Sequence, residues 1–166
     1  MDDARVAPRL RVPANRVSPR ARVGWTAVAV GQAAVVLIVL GLLVGVWNVF
    51  DLPGWGWLAV VIAALAYAVT MPSVRYAVHR WEVTADAVFT QSGWLTQERR
   101  VAPLARVQTV DFEQGALARA LRLATVTVTT ASAAGPVRIE GLDRYDAENL
   151  VDDLTARANA HGGDAT

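Results

Sequence analysis

From Val23 to Phe50 no charged side chain interrupts the sequence, and after Asp51 none occurs until Arg75, so two apolar runs stand back to back around one acid. Each exceeds the roughly 20 residues, at about 1.5 Å per residue, that the hydrocarbon layer of a bilayer requires. The pattern predicts a hairpin of two transmembrane helices, about 25–48 and 55–74, turned by Pro53, Gly54 and Gly56. A cleavable signal peptide competes as a reading of an Arg-rich start before an apolar run. That run, however, is about twice the usual length of a signal core, and a second follows at once. Gly41 and Gly45 form a G-x-x-x-G pair, and Ala59 and Ala63, with Ala64 and Ala68, give the second helix small residues four apart. Such faces let helices approach closely, within the hairpin or against another membrane protein. Trp47, Phe50, Trp55 and Trp57 at the turn, and Trp25 at the opposite end, suit the headgroup layer. Gln32 is the one strongly polar side chain inside the runs, so the ionisable groups that a transport path draws on are missing.

After Arg75 the period changes to alternation. Trp81 to Thr84 and Ala87 to Gln91 read as short strands around a turn at Ala85-Asp86. Trp94 to Ala102, after the Ser92-Gly93 turn, reads as a polar edge strand ended by Pro103. Val107 to Gln114 turns Val110 and Phe112 inward, and Thr125 to Thr130 separates Val126 and Val128 from Thr125, Thr127 and Thr129. Val137 to Glu140 is the last strand unit, and Ala116 to Leu123 carries one or two helical turns. A final helix follows Asp143, a predicted N-cap, with Ala147, Leu150, Val151, Leu154 and Ala158 on one stripe. The expected class is α+β: a transmembrane hairpin, then a bent antiparallel sheet or barrel over 75–161 plugged by a C-terminal helix. The ends, 1–22 and 162–166, are expected to be disordered.

Charge sharpens the placement. Residues 1–22 hold six Arg against Asp2 and Asp3, whereas residues 75–166 hold ten Arg against twelve acids. Arg75 and Arg80 repeat the basic flank after the second span, so the positive-inside rule puts both termini in the cytoplasm of a multi-pass plasma-membrane protein. The basic tail fits orientation alone or contact with anionic headgroups. The absence of Cys excludes disulfides, thiolate metal sites and Cys nucleophiles.

The run Arg100 to Val110 (RVAPLARVQTV), then Gln114 to Val128 (QGALARALRLATVTV), resembles the core pattern of YdbS-like bacterial pleckstrin-homology (PH) proteins. The likeness extends through Gly141-Leu142 and the capped helix, over about residues 75–158, and the two preceding spans also fit. It implies a seven-stranded PH-like barrel, where periodicity alone gives six strands, and it brings no catalytic residues or cofactor. Phosphoinositide-binding PH domains carry Lys and Arg around the first strand pair. Here the turn from Val83 to Val88 has none, so the resemblance implies no such pocket.

His79 and His161 have no companion at metal-ligand spacing, and no phosphate loop, dinucleotide fingerprint or nucleophile elbow occurs. The carboxylate pairs Asp111 with Glu113 and Asp152 with Asp153 fall on wet faces, against acid–base catalysis. Scattered Arg residues on a net acidic domain give no nucleic-acid footprint. The remaining candidate is a group made of Arg75, Arg80, Arg99 and Arg100, suited to lipid headgroups or an acidic partner, or else to shielding an edge strand. The expectation is a non-enzymatic scaffold or regulatory subunit at the inner face of the membrane. It would work with a larger PH-repeat membrane protein or as a homo-oligomer; the alternative is an anionic-lipid-responsive sensor in envelope stress or defence against membrane-active agents.

Overall fold

A computed structural model describes residues 12–131 and 135–163. Strand β1 (Asn15–Arg16) precedes the two long helices α1 (Pro19–Gly45) and α2 (Gly54–Val78). Then come β2 (Arg80–Val83), β3 (Ala87–Ser92), β4 (Glu98–Pro103), a 3-10 turn (Leu104–Arg106) and β5 (Val107–Glu113). The short helix α3 (Ala116–Ala120), β6 (Leu123–Thr130), β7 (Val137–Asp143) and α4 (Arg144–Gly163) complete the chain.

Helix α1 starts earlier than the apolar run because Ser18 and Pro19 supply its cap. Pro19 occupies the first turn, where no N–H is needed, and the Arg20 amide donates to Ser18 Oγ at 3.4 Å. Helix α2 outlasts its apolar run, and Pro72 inside it leaves the Ala68 carbonyl without its usual donor. Around that gap the Thr70 and Ser73 hydroxyls donate to the carbonyls of Ala66 at 2.7 Å and Val69 at 2.6 Å. At about 1.5 Å per residue both helices are longer than the roughly 30 Å hydrocarbon layer. Their outer faces are apolar and open: Ile38 is 60% exposed, Leu58 61% and Leu65 62%. A core helix of a water-soluble protein would bury such residues; these helices find their apolar surroundings in lipid.

The remaining strands form two antiparallel sheets, ordered β1-β2-β3-β4 and β5-β6-β7. Val88 and Ala102 from the first, with Leu104 of the 3-10 turn, meet Val126, Val128, Ile139 and Leu142 from the second, and α4 closes the end with Ala147, Leu150 and Leu154. The Tyr145 amide donates to Asp143 Oδ1 at 3.2 Å, so Asp143 caps α4 as its position predicts. Phe112 lies opposite Val126 but stays 39% exposed, because β5 is an edge strand and its inward side reaches the rim. The polar strand expected from Trp94 begins only at Glu98. The tip before it is a loop in which Gly93, at φ +116°, has no room for a β carbon beside the Thr96 carbonyl.

The seventh strand comes from the part of the chain expected to be disordered. Asn15 pairs with Trp81 and Arg16 with Arg80, while the Ala14 amide donates to Glu82 Oε2 at 3.1 Å. Val17 and Ala21 are buried with Leu123 against Trp25, Tyr76 and Trp81. Too short to show a period, this strand is fixed by partners beyond the hairpin. Residues 1–11 and 164–166 of the expected disordered ends lie outside the described residues; Gly162 and Gly163 belong to α4.

The Ser18 amide donates to the Gly141 carbonyl at 2.9 Å. Gly141 has φ +76°, and a β carbon there would stand 2.6 Å from that of Ala21 and 3.4 Å from Trp25. Replacing Gly141 with Ala therefore combines a left-handed backbone, which costs about 1–2 kcal/mol, with displacement of α1. Thermal unfolding of the full chain in detergent should show a loss of at least about 1 kcal/mol, and protection of the Ser18 amide from hydrogen exchange should fall.

Candidate functional site

The end of α2 and the beginning of α1 meet the domain at one place, and a cleft opens there. Arg75 in the last turn of α2 donates to Glu140 Oε2 on β7 at 2.6 Å and lies over the Trp25 ring, its guanidinium carbon 4.6 Å from the centroid. His79 follows α2, its ring edge-on to Trp25 with centroids 5.5 Å apart. Trp25 is thus held between α1, the last turn of α2 and β7, instead of acting as a free interfacial anchor.

Beyond this junction the cleft, of about 590 Å³, is lined by Arg75, His79 and Glu140, by Thr90, Trp94 and Arg100 from the β3–β4 hairpin, and by Arg138. Its charges are cross-linked. Arg100 reaches Glu98 at 2.6 Å and donates to the Pro136 carbonyl at 3.1 Å, while Arg138 pairs with Glu113 at 2.9 Å. These bonds leave a mixed polar surface, not an open nest of cations.

His79 is the perturbed group. It is 3% exposed and its Nδ1 has no hydrogen-bond partner among the described residues. Burial pushes its pKa down to about 4 against the attraction of nearby Glu140, and Arg75 pushes in the same downward direction. The ring is therefore neutral at pH 7.

The four arginines singled out in the sequence separate into two sites. Adjacent residues of a strand point to opposite faces, and cross-strand partners share one. Arg100, paired with Thr90, faces the cleft with Arg75. Arg80 and Arg99 align with Gln91 on the other face, where Arg16 joins them: Arg16, Arg80, Gln91 and Arg99 form one row across all four strands. Arg99 donates to Gln91 Oε1 at 3.0 Å, and Gln91 Nε2 donates to the Val78 carbonyl at 3.1 Å, tying the row to the end of α2. The contribution of Arg16 had no signal before β1 was known. Glu140, Arg138 and Trp94 were missed as well, since only the fold brings them to Arg75.

The small residues are divided too. Gly41 faces α2, but the Trp57 ring lies above it, 3.9 Å from where a β carbon would be. A β carbon on Gly45 would meet nothing within 4 Å, and Ala59 and Ala63 are exposed. The close contact between the helices is made instead by Ala29 with Ala68 and Met71, near the end where the domain holds both helices together. Gly45, Ala59 and Ala63 thus lie on open surface of the hairpin.

A family model described as Bacterial PH domain matches residues 21–158. The chain belongs to the bacterial PH domain family. It is 30% identical over 156 residues to UPF0699 transmembrane protein YdbS of Bacillus subtilis (strain 168), an alignment covering 92% of this chain and 97% of that one. No solved structure matches it significantly. The matched region of this bacterial PH domain protein takes in α1 from Ala21, α2 and every strand after β1, in keeping with the junction at Trp25.

The lowered pKa of His79 has a stability consequence. Between the unfolded value of 6.5 and the folded value of about 4, the unfolded chain binds more protons, so stability falls as pH drops through that window and levels off below it. The loss attributable to His79 is on the order of 3 kcal/mol. Unfolding of wild type and His79→Gln in detergent across pH 7 to 4 should show a shallower decline in the variant.

Proposed function

We propose that this protein is a non-enzymatic scaffold or regulatory subunit acting through protein–protein contacts at the inner face of a bacterial plasma membrane. The observation that carries the reading is the double attachment of the domain. The Ser18 to Gly141 hydrogen bond and the Arg20 to Asp143 pair at 3.2 Å hold the start of α1, and the Arg75 to Glu140 pair holds the end of α2. A domain fixed at two points keeps one height and one orientation on the membrane. It suits a partner that reads position better than it suits a module recruited and released by a lipid. Ion pairs that occupy Glu98 and Glu140, and a buried neutral His79, favour structure over acid–base chemistry in the cleft. Both basic flanks, Arg16 to Arg22 and Arg75 to Arg80, lie on the domain side, and the turn carries Asp51; this supports a cytoplasmic domain and cytoplasmic termini.

The row Arg16, Arg80 and Arg99 favours a second reading, an anionic-lipid-responsive sensor in envelope stress or defence. The two separate on purification of the full chain from its own membranes in mild detergent. The scaffold reading expects a larger membrane protein with further PH-like domains at constant stoichiometry, retained by the Arg80→Glu, Arg99→Glu double variant. A homo-oligomer whose bound anionic lipid, read by native mass spectrometry, drops several-fold in that variant would replace it with the sensor.

A further inference from the structure

We propose that the tip of the β3–β4 hairpin is a lipid-inserting wedge, with Trp94 in the headgroup layer and Leu95 among the upper acyl chains beside α2. The direction of the hairpin sets this up. Arg80, just after α2, pairs with Gln91, so β3 runs back toward the membrane, and Ser92 with Glu98 is the last pair before the loop. The loop therefore projects past the point where α2 leaves the domain.

Its height is given by an aromatic contact. The Trp94 ring stands edge-on to the Tyr67 ring, with centroids 5.8 Å apart. Tyr67 lies in the uncharged run, three turns before the end of α2 at Val78, about 16 Å along the helix at ~1.5 Å per residue. Its hydroxyl donates to Gln32 Oε1 of α1 at 3.0 Å, so the indole is fastened to the hairpin of spans. Leu95 next to it is 80% exposed and Trp94 39%. No charged residue occurs from Ser92 to Gln97; directly behind the tip come Glu98, paired with Arg100, and then Arg99 and Arg80. An uncharged amphipathic tip, with the Glu98–Arg100 pair, Arg99 and Arg80 behind it, matches the layering of acyl chains, aromatic belt and polar headgroups.

Lipid is the occupant because Trp94 meets α2 at Tyr67, beside the outward-facing Leu65 and Val69, which are 62% and 65% exposed. The open polar backbone of a loop keeps the insertion shallow, since its N–H and C=O groups need partners that the hydrocarbon interior lacks. The wedge rests on the membrane reading of the helices and not on the scaffold reading, so either can fail alone.

The chain has no Cys, which allows a single-site probe. Leu95→Cys carrying an environment-sensitive fluorophore is placed, as full-length protein, in bilayers of phosphatidylethanolamine and phosphatidylglycerol. Ala85→Cys, at the exposed turn at the other end of the β2–β3 ladder, serves as the water-facing reference, and Leu58→Cys as the lipid-facing one. The expected result at position 95 is emission shifted to the blue of position 85. Quenching by a label high on the acyl chains should be several-fold stronger there than at position 85, and quenching by aqueous iodide several-fold weaker. Iodide quenching equal to that at position 85 would overturn the wedge. Shielding from both quenchers would overturn it too, by placing protein over the tip.

Discussion

Without a β carbon on Gly141, Ala21 and Trp25 lie directly on β7, and most of the architecture follows from that contact. It brings Trp25 to the place where one indole serves two neighbours, the guanidinium of Arg75 and the ring of His79. Arg75 then turns to Glu140, one residue before Gly141 on the same strand. The start of α1 and the end of α2 are thereby referred to one strand. The close Ala29 to Ala68 contact lies on the side of the helices where that reference holds them. Each helix end borrows stability from the domain, and the domain borrows a strand from the segment ahead of α1.

This arrangement explains why the junction tolerates an uncomfortable group. A buried His79 with an unmatched Nδ1 carries a desolvation cost, but its ring completes the aromatic packing against Trp25. The Arg75 to Glu140 pair is half-buried. Removing either partner would leave the other in a poorly solvated place, a heavier loss than the net worth of the pair. Close fit and paired charge together tie both chain crossings to β7.

The helices were legible because both are written in long runs without charge. The core faces of β6 were legible because Val126 and Val128 alternate cleanly with Thr. Helix ends were less so: Ser18 and Pro19 start α1 outside the apolar run, and packing on the domain keeps the end of α2 helical beyond it. The site was only half legible. Arg75 and Arg100 do meet in the cleft, but Arg80 and Arg99 fall on the opposite face, a division decided by strand register and invisible in a list of basic residues. Strand β1 was hidden altogether, since two residues carry no period and its identity depends on Trp81 and Arg80, far along the chain.

That strand has a consequence for how the protein is made. Asn15 and Arg16 leave the ribosome before either span, yet their partners at Arg80 and Trp81 are synthesised only after both. The first sheet can close only when the two ends of the hairpin emerge on the same side of the bilayer. A chain threaded with one span missing or reversed would separate the two halves of the ladder and expose the edge of β2. Completion of the sheet thus joins the two ends of the helical hairpin, since β1 ahead of α1 pairs with β2 behind α2.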